Sequence, residues 1–363
     1  MSALSRFRAT DLAGWSWSGL AETTDDQSLA GRPMYNGGPH LVGVMRSPVV
    51  DVEPFEEVVP SWTALTPSGT WLEVRVRVAF VKRWTRWYSL GVWAEADDPV
   101  ARHSVPGQRD EDGDVITDAL RVAVAAQTLQ VEIALFTLDA EALPIVTSLS
   151  LATVSDAEAQ VRRADRAAWG RVLEVPARSQ MLHRDGGDSW CSPTSVAMVL
   201  AYHGAEVGVP DAAAGTYDWA YDGCGNWSFN TAYAGRFGLD AYVARFTSLR
   251  DVERSIVAGV PIVASYAWDE GELTGAPLPA SNGHLGVVVG FDDRGDPVLN
   301  DPAAPTDAAV RRTYTRSEFE RQWLTRSRGA VYVIAPRQLP QAAPPGVARR
   351  AASTARRLHP GAL

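Results

Sequence analysis

The sequence predicts two joined units: an all-β sandwich over about residues 1–155, and an α+β unit over 172–336 with a cysteine-bearing helix packed on an antiparallel sheet. Three observations carry this reading. The stretch "GTWLEVRVRVAF" alternates strictly, with Leu72, Val74, Val76, Val78 and Phe80 on one face and Glu73, Arg75 and Arg77 on the other. A period of two is that of a half-buried strand. From Ser155, "SDAEAQVRRADRAAWG" changes to helical composition and opens with Ser-Asp-x-Glu capping chemistry. Beyond Val172, helical stretches come first and strand-like stretches after, an α+β layout. At 363 residues the chain also exceeds what one core usually serves.

The first unit repeats the alternation in "TLQVEIALF", where Leu129, Val131, Ile133 and Leu135 face inward, and "IVTSLSLATV" reads as another strand. Turn-forming stretches such as "YNGGPH", "TPSGT" and "DEDGD" separate the segments, as in a sandwich. A linking helix is expected over 156–171. In the second unit "CSPTSVAMVLAYHG" reads as a helix with Pro193 in its first turn, Val196, Val199 and Leu200 at i, i+3, i+4 spacing, and Gly204 as its stop. "SLRDVERSIVAGVPIVASY" reads as a capped helix and then a strand. "GHLGVVVGFDDRGDPVLNDP" reads as a hairpin turning at Asp293–Gly295. "RSEFERQWL" is a short helix and "AVYVIAP" a last strand. From Arg337 the chain is rich in Pro, Ala and Arg without a core pattern, and a mobile basic tail is expected over 337–363.

Composition excludes several classes. A net charge of -9 and a pI near 5.2 argue against nucleic acid as the main partner, since phosphate binding needs a basic surface. No apolar run approaches the ~20 residues that span a bilayer. Arg6 and Arg8 are not followed by an apolar segment, so no signal peptide is read and a cytoplasmic location is expected, with secretion as the alternative. No Cys or His spacing suits a metal and no cofactor is implied. "QRDEDGDVITD" has alternating acids but places Gly113 fourth rather than sixth, so it reads as an acidic hairpin loop and not a calcium loop. The two cysteines, Cys191 and Cys224, are too few for a disulfide framework. The aromatic-rich "RWTRWYSLGVW" suits core packing, with a platform for sugars or peptides as the alternative.

The candidate chemistry begins at Cys191. A helix N-terminus favours a thiolate, and Cys191 stands at one; a buried free cysteine is an equally good reading of that helix alone. A nucleophilic thiol needs a histidine base oriented by a third group. His40 and His103 lie in the first unit and His359 in the tail. His183 precedes Cys191 in a Gly-rich loop, and His203 ends the same helix, roughly 18 Å along its axis. That leaves His284, after Gly283 at the start of an apolar strand. In the expected hairpin, position 284 faces the region just past 301, where Asp301 is placed to orient the imidazole. Gln180 is the one glutamine in the stretch upstream of the cysteine, where an amide can join the Cys191 N–H as an oxyanion donor. Asn226, Trp227 and Tyr233 are candidates to line a substrate groove, with core and loop packing as the alternative.

"VPARSQMLHRDGGDSWCSPTSVAMVLAYHG", "NGHLGVVVGF" and "DPVLNDPA" together resemble the C39-like cysteine peptidases of the papain-like superfamily. The resemblance covers about 172–336, and the first unit resembles the β-rich region that accompanies such domains in actinobacterial proteins. It implies a cysteine hydrolase acting on a peptide or amide through Cys191, His284 and Asp301, with Gln180 in the oxyanion hole and a thioester intermediate. Gln180 lies 11 positions before Cys191, longer than in the transporter-linked C39 peptidases, and Ser192 replaces the glycine that commonly follows the cysteine. No transporter segments are present. The same residues would serve an acyltransferase. A catalytically silent peptide- or carbohydrate-binding protein is the reading from another class. The first unit is expected to position the enzyme against a cell wall or a protein partner.

Overall fold

The computed structural model describes residues 2–23, 28–29, 32–33, 39–81, 83–155 and 164–337. The expected tail from residue 338, residues 156–163 of the expected linking helix, and the turn at 35–38 lie outside them.

In the first unit the alternating stretches form strands where the pattern placed them, at Thr70–Phe80, Ala119–Thr137 and Ile145–Val154. Leu72, Val74, Val76 and Val78 are fully buried, as are Leu129, Val131 and Ile133. The architecture differs from two separate sheets. Ten antiparallel strands form one connected sheet, because two long strands carry through it. Ala119–Thr137 pairs with Val50–Leu65 along its first half, and with Thr70–Phe80 and His40–Arg46 along its second. Register shifts between Arg121 and Thr128 mark the change of partner, and such bulges let a strand bend without losing its ladder. In the aromatic-rich stretch, Trp93 is core, while Trp84 and Trp87 hold the Arg77 guanidinium at 4.5 and 4.6 Å from their rings.

The described part of the expected linking helix is a single 3-10 turn, Arg166–Ala168, followed by extended chain. The buried Glu253 carboxylate accepts from the Trp169 indole at 3.0 Å and from the Asp165 N–H, and so draws the linker onto the second unit. Trp169 and Val172 then bridge to Phe291 and Gly290. A Cβ at 290 would stand 2.1 Å from the Arg171 carbonyl oxygen, so only glycine admits this approach.

The second unit is a six-stranded antiparallel sheet in the order Leu239–Arg245, Ala330–Pro336, Ile262–Trp268, Ser281–Phe291, Pro297–Asn300, Arg311–Thr313. The helix Cys191–Tyr202 packs on the strand Ser281–Phe291 and against the helices Val209–Thr216 and Trp227–Gly235. The one-sided apolar stripe expected of it is therefore too narrow a description: every residue from Ser192 to Ala201 is buried. A helix enclosed on all sides tends to satisfy its hydroxyls: Ser192 Oγ pairs with Tyr332 OH at 3.0 Å and Ser195 Oγ donates to the Leu285 carbonyl at 3.2 Å, while Thr194 Oγ1 is buried without a partner. Gly204 ends the segment with φ +85°, the left-handed stop expected of it.

The two units share one hydrophobic core. Phe229 is fully buried between Trp62 and Trp93, at ring-centre distances of 6.2 and 5.5 Å. Beside it a buried ionic group crosses the seam: Glu57 accepts from Arg245 and, at 2.8 Å, from Arg121. Asp118, at a two-residue hairpin turn of the first unit, accepts from Ser228 N at 2.8 Å, at the start of the helix Trp227–Gly235. A carboxylate there answers the free N–H groups and positive dipole end of that helix.

Candidate functional site

Three elements converge. Cys191 opens its helix after Trp190, whose side chain makes no cap hydrogen bond, and the thiol is partly exposed. His284 lies early in the strand Ser281–Phe291 and is 2% exposed. Asp301 directly follows the strand Pro297–Asn300 and is fully buried. The hairpin has the anticipated register: Phe291 faces Pro297, Gly290 faces Val298 and Val287 faces Asn300, which brings the residues just past Asn300 level with 284.

His284 Nε2 and Asp301 Oδ1 are 2.8 Å apart. Asp301 is saturated: Oδ1 also accepts from Ala303 N at 3.0 Å, and Oδ2 accepts from Tyr266 OH at 2.9 Å and Tyr314 OH at 2.6 Å. With Nε2 bound to the carboxylate, Nδ1 is the ring nitrogen left for Cys191. Burial works against a charged ring, but the Asp301 carboxylate and then the Cys191 side chain outweigh it and push His284 up to about 10. Burial likewise works against the Asp301 charge, yet His284 and the two tyrosine hydroxyls hold the carboxyl down near 2. Burial and the neighbouring carboxylate raise both tyrosines, so they remain protonated donors. The imidazole is also fixed sideways, edge-on to Tyr266 and Trp268 at 5.3 and 5.6 Å between ring centres.

Gln180 is 2% exposed and begins a short 3-10 turn. Its backbone N–H donates to the Pro302 carbonyl at 2.9 Å, and Ser179 Oγ donates to Ala304, so the turn is stapled to the segment after Asp301. The Gln180 Oε1 is buried without a hydrogen-bond partner. The long spacing to Cys191 is taken up by consecutive turns over 184–189, closed by Gly187 N to His183 O at 3.0 Å and by the His183 and Trp190 rings at 5.9 Å.

Three candidates are corrected. Asn226 is fully buried: its Oδ1 caps the helix Trp227–Gly235 at Phe229 N, and its Nδ2 donates to Asp218 at 2.9 Å. Tyr233 is buried against Gly215 and Phe237. Trp227 lies under the Arg245 guanidinium, 4.9 Å from its ring centre. The contacts of all three are within the helix Trp227–Gly235 or with its second-unit neighbours, and that helix also packs on the first-unit strand Val50–Leu65. Cys224 is buried with its thiol 3.5 Å from the Ala213 carbonyl, and burial pushes that thiol up to about 11. The two cysteines are free. His203 binds the Ile334 carbonyl through Nε2 at 3.0 Å, away from the thiol.

Sequence reasoning missed Tyr266 and Tyr314. Tyr266 left one signal: it pairs with His284 across adjacent strands, and a Cβ at Gly286 would come within 2.8 Å of its hydroxyl. Tyr314, beyond the next strand, left none.

A cysteine-bearing helix packed against an antiparallel sheet, with His284 and Asp301 paired on that sheet, places the second unit in the α+β class. Within that class, residues 172–331 match the peptidase C39-like family and residues 9–154 match the peptidase C39 N-terminal domain, so the chain belongs to the C39-like peptidases. Among solved structures it is similar to a putative C39-like peptidase from Bacillus anthracis, with 20% identity over 46% of this chain and 99% of that one and a TM-score of 0.35. The CBM22-1–GH10 modules of an endo-1,4-β-D-xylanase from Clostridium thermocellum also align, with 12% identity over 45% of this chain and 31% of that one and a TM-score of 0.17. No curated protein matches. Among the described residues no helix is long and apolar enough to cross a membrane.

Proposed function

We propose that the protein is a cysteine hydrolase that cleaves a peptide or amide bond at Cys191. The observation that carries this is His284, buried and held at Nε2 by a saturated Asp301, with its other nitrogen left for the one partly exposed thiol. In this reading the Cys191 proton already rests on His284, and the Cys191 thiolate attacks the carbonyl carbon. The new C–S bond forms as the carbonyl π electrons move to oxygen, where the Cys191 N–H and the Gln180 side-chain amide stabilise the charge. The C–N bond then breaks, the amine leaves with the proton from His284, and water, deprotonated by the same ring, hydrolyses the thioester. Asp301 holds the proton-bearing Nε2 in place throughout and stabilises the imidazolium, while Tyr266 and Tyr314 keep Asp301 ionised.

The test is the rate of iodoacetamide labelling at Cys191 near neutral pH. Labelling faster than a free thiol, absent in Cys191→Ala and slowed about a hundredfold in His284→Ala, is the expected outcome. A Cys191 that reacts like an ordinary thiol regardless of His284 overturns the reading.

A further inference from the structure

A cavity of about 720 Å³ opens where the two units meet, and none of its lining residues is Cys191, His284 or Asp301. Its origin is missing cover on the second sheet. Side chains along one strand alternate between the two faces. Leu239, Ala241 and Val243 are buried on the face that carries the helix Trp227–Gly235. Asp240, Tyr242 and Ala244 point to the other face, beside Val333 and Ala335 of the neighbouring strand. The helix Leu249–Val257 covers that face over the strands Ser281–Phe291 and Ile262–Trp268. Over the two outer strands a groove remains, and the first unit's edge strand Ser2–Arg8 forms its other wall.

The groove has an apolar floor and a charged rim. The Arg6 guanidinium stands 3.7 Å from the Tyr242 ring centre and 2.5 Å from Asp240 Oδ1, and Arg8 is 3.6 Å from the same carboxylate. One carboxylate thus answers two guanidinium groups. Asp251 is engaged by Thr247, whose N–H and Oγ1 donate to it at 3.1 and 3.2 Å. Arg245, also in the lining, is committed to Glu57 and the Ser327 carbonyl. On the helix, Arg254 is exposed, and among the described residues its guanidinium has neither a hydrogen bond nor an ion pair. Arg6, Arg8 and Arg254 therefore face only Asp240 and Asp251, a positive surplus in a chain whose net charge is -9. A cavity of this size between two units, with an apolar floor and a few convergent polar groups, has the form of a small-molecule site. An unneutralised guanidinium at its rim favours an anion.

We propose that this groove binds an organic anion, with an aromatic or aliphatic body on the floor of Tyr242, Val333 and Ala335 and a carboxylate or phosphate held by Arg254 and Arg8. The site is independent of the cysteine-hydrolase reading. Its walls come from both units, so a bound ligand bridges them.

The probe is 8-anilinonaphthalene-1-sulfonate, followed by fluorescence, with N-phenyl-1-naphthylamine as the same ring system without the charge. The wild-type protein should bind the sulfonate about tenfold more tightly or better, the worth of one charge-assisted hydrogen bond. Arg8→Ala and Arg254→Ala should each weaken the sulfonate by about fivefold or more and move the neutral compound by less than about twofold. Ala335→Trp, which fills the floor at a partly exposed position, should weaken both. Val124→Asp, in an exposed apolar groove of the first unit, controls for non-specific binding and should change neither. Octanoate and octyl phosphate should displace the sulfonate, the stronger competitor giving the preferred head group, and octanol should not. Equal binding of the charged and neutral probes, arginine variants that bind the sulfonate like the wild type, loss of binding in Val124→Asp instead, or displacement by octanol as readily as by the anions overturns the proposal.

Discussion

The seam and the candidate site each bury a carboxylate against a cation, and the two differ in what that cation can do. At the seam, the Glu57 and Arg245 side chains are 3% and 2% exposed, and Arg121 adds a second guanidinium. At the site, the His284 and Asp301 side chains are 3% and 0% exposed. Both carboxylates are fully engaged. The difference lies in the cation. Arg245 spends its guanidinium on Glu57 and the Ser327 carbonyl, and an arginine does not release its proton in a protein. His284 uses one nitrogen for Asp301 and keeps the other free of it, and an imidazole can release its proton. A buried ion pair becomes a candidate for catalysis when one member keeps a transferable proton and an opening to use it.

Three perturbations test that contrast, in decreasing order of effect. Glu57→Ala leaves Arg245 buried and uncompensated, and should lower unfolding stability in urea by about 3–5 kcal/mol. Because the units share a core, one transition is expected for both; separate transitions would show that the seam is weaker than its contacts. Folded Glu57→Ala should still label at Cys191 at the wild-type rate. Tyr314→Phe removes one donor from Asp301 and leaves the ring in place. It should cost about 1–3 kcal/mol, and slow iodoacetamide labelling while Glu57→Ala does not. Equal labelling in the two variants would mean that the support of Asp301 is purely structural.

The third is pH. His284 is raised in the folded state to about 10, above its ordinary 6.5. Its contribution to stability is therefore complete below about pH 6.5 and is lost as pH rises toward 10. Unfolding free energy measured across that window should fall in the wild type and fall less in His284→Ala. Arginine does not release its proton in a protein, so Glu57→Ala should keep the wild-type slope. A slope unaffected by His284→Ala would show that the imidazole is not held as a cation.

The three principal candidate residues each carried a local mark: a cysteine at a helix start, a histidine after glycine on an apolar strand, an aspartate directly after a hairpin strand. The hairpin register followed from its Asp293–Gly295 turn. Tyr314 carried no mark, since a tyrosine between a short strand and a helix looks the same whether its hydroxyl meets water or Asp301. Asn226, Trp227 and Tyr233 were misplaced for a related reason. An aromatic-rich, Gly-flanked segment has one composition whether it lines a groove or packs against another unit, and the first-unit partners of its helix, Trp62, Trp93 and Asp118, lie far away in sequence. The shared core was hidden in the same way. Alternation in the first unit and helix spacing in the second show that each has an apolar face, not that the faces meet.

Asp118 closes the helix Trp227–Gly235, and Ser61 Oγ receives the Val243 N–H at 3.0 Å, so two backbone needs of the second unit are met by the first. A ribosome delivers Asp118 and Ser61 before Ser228 and Val243 exist. The N-terminal unit is thus a template already in place when the cysteine-bearing unit emerges, and a chain starting at residue 172 would have to complete that helix and strand without it.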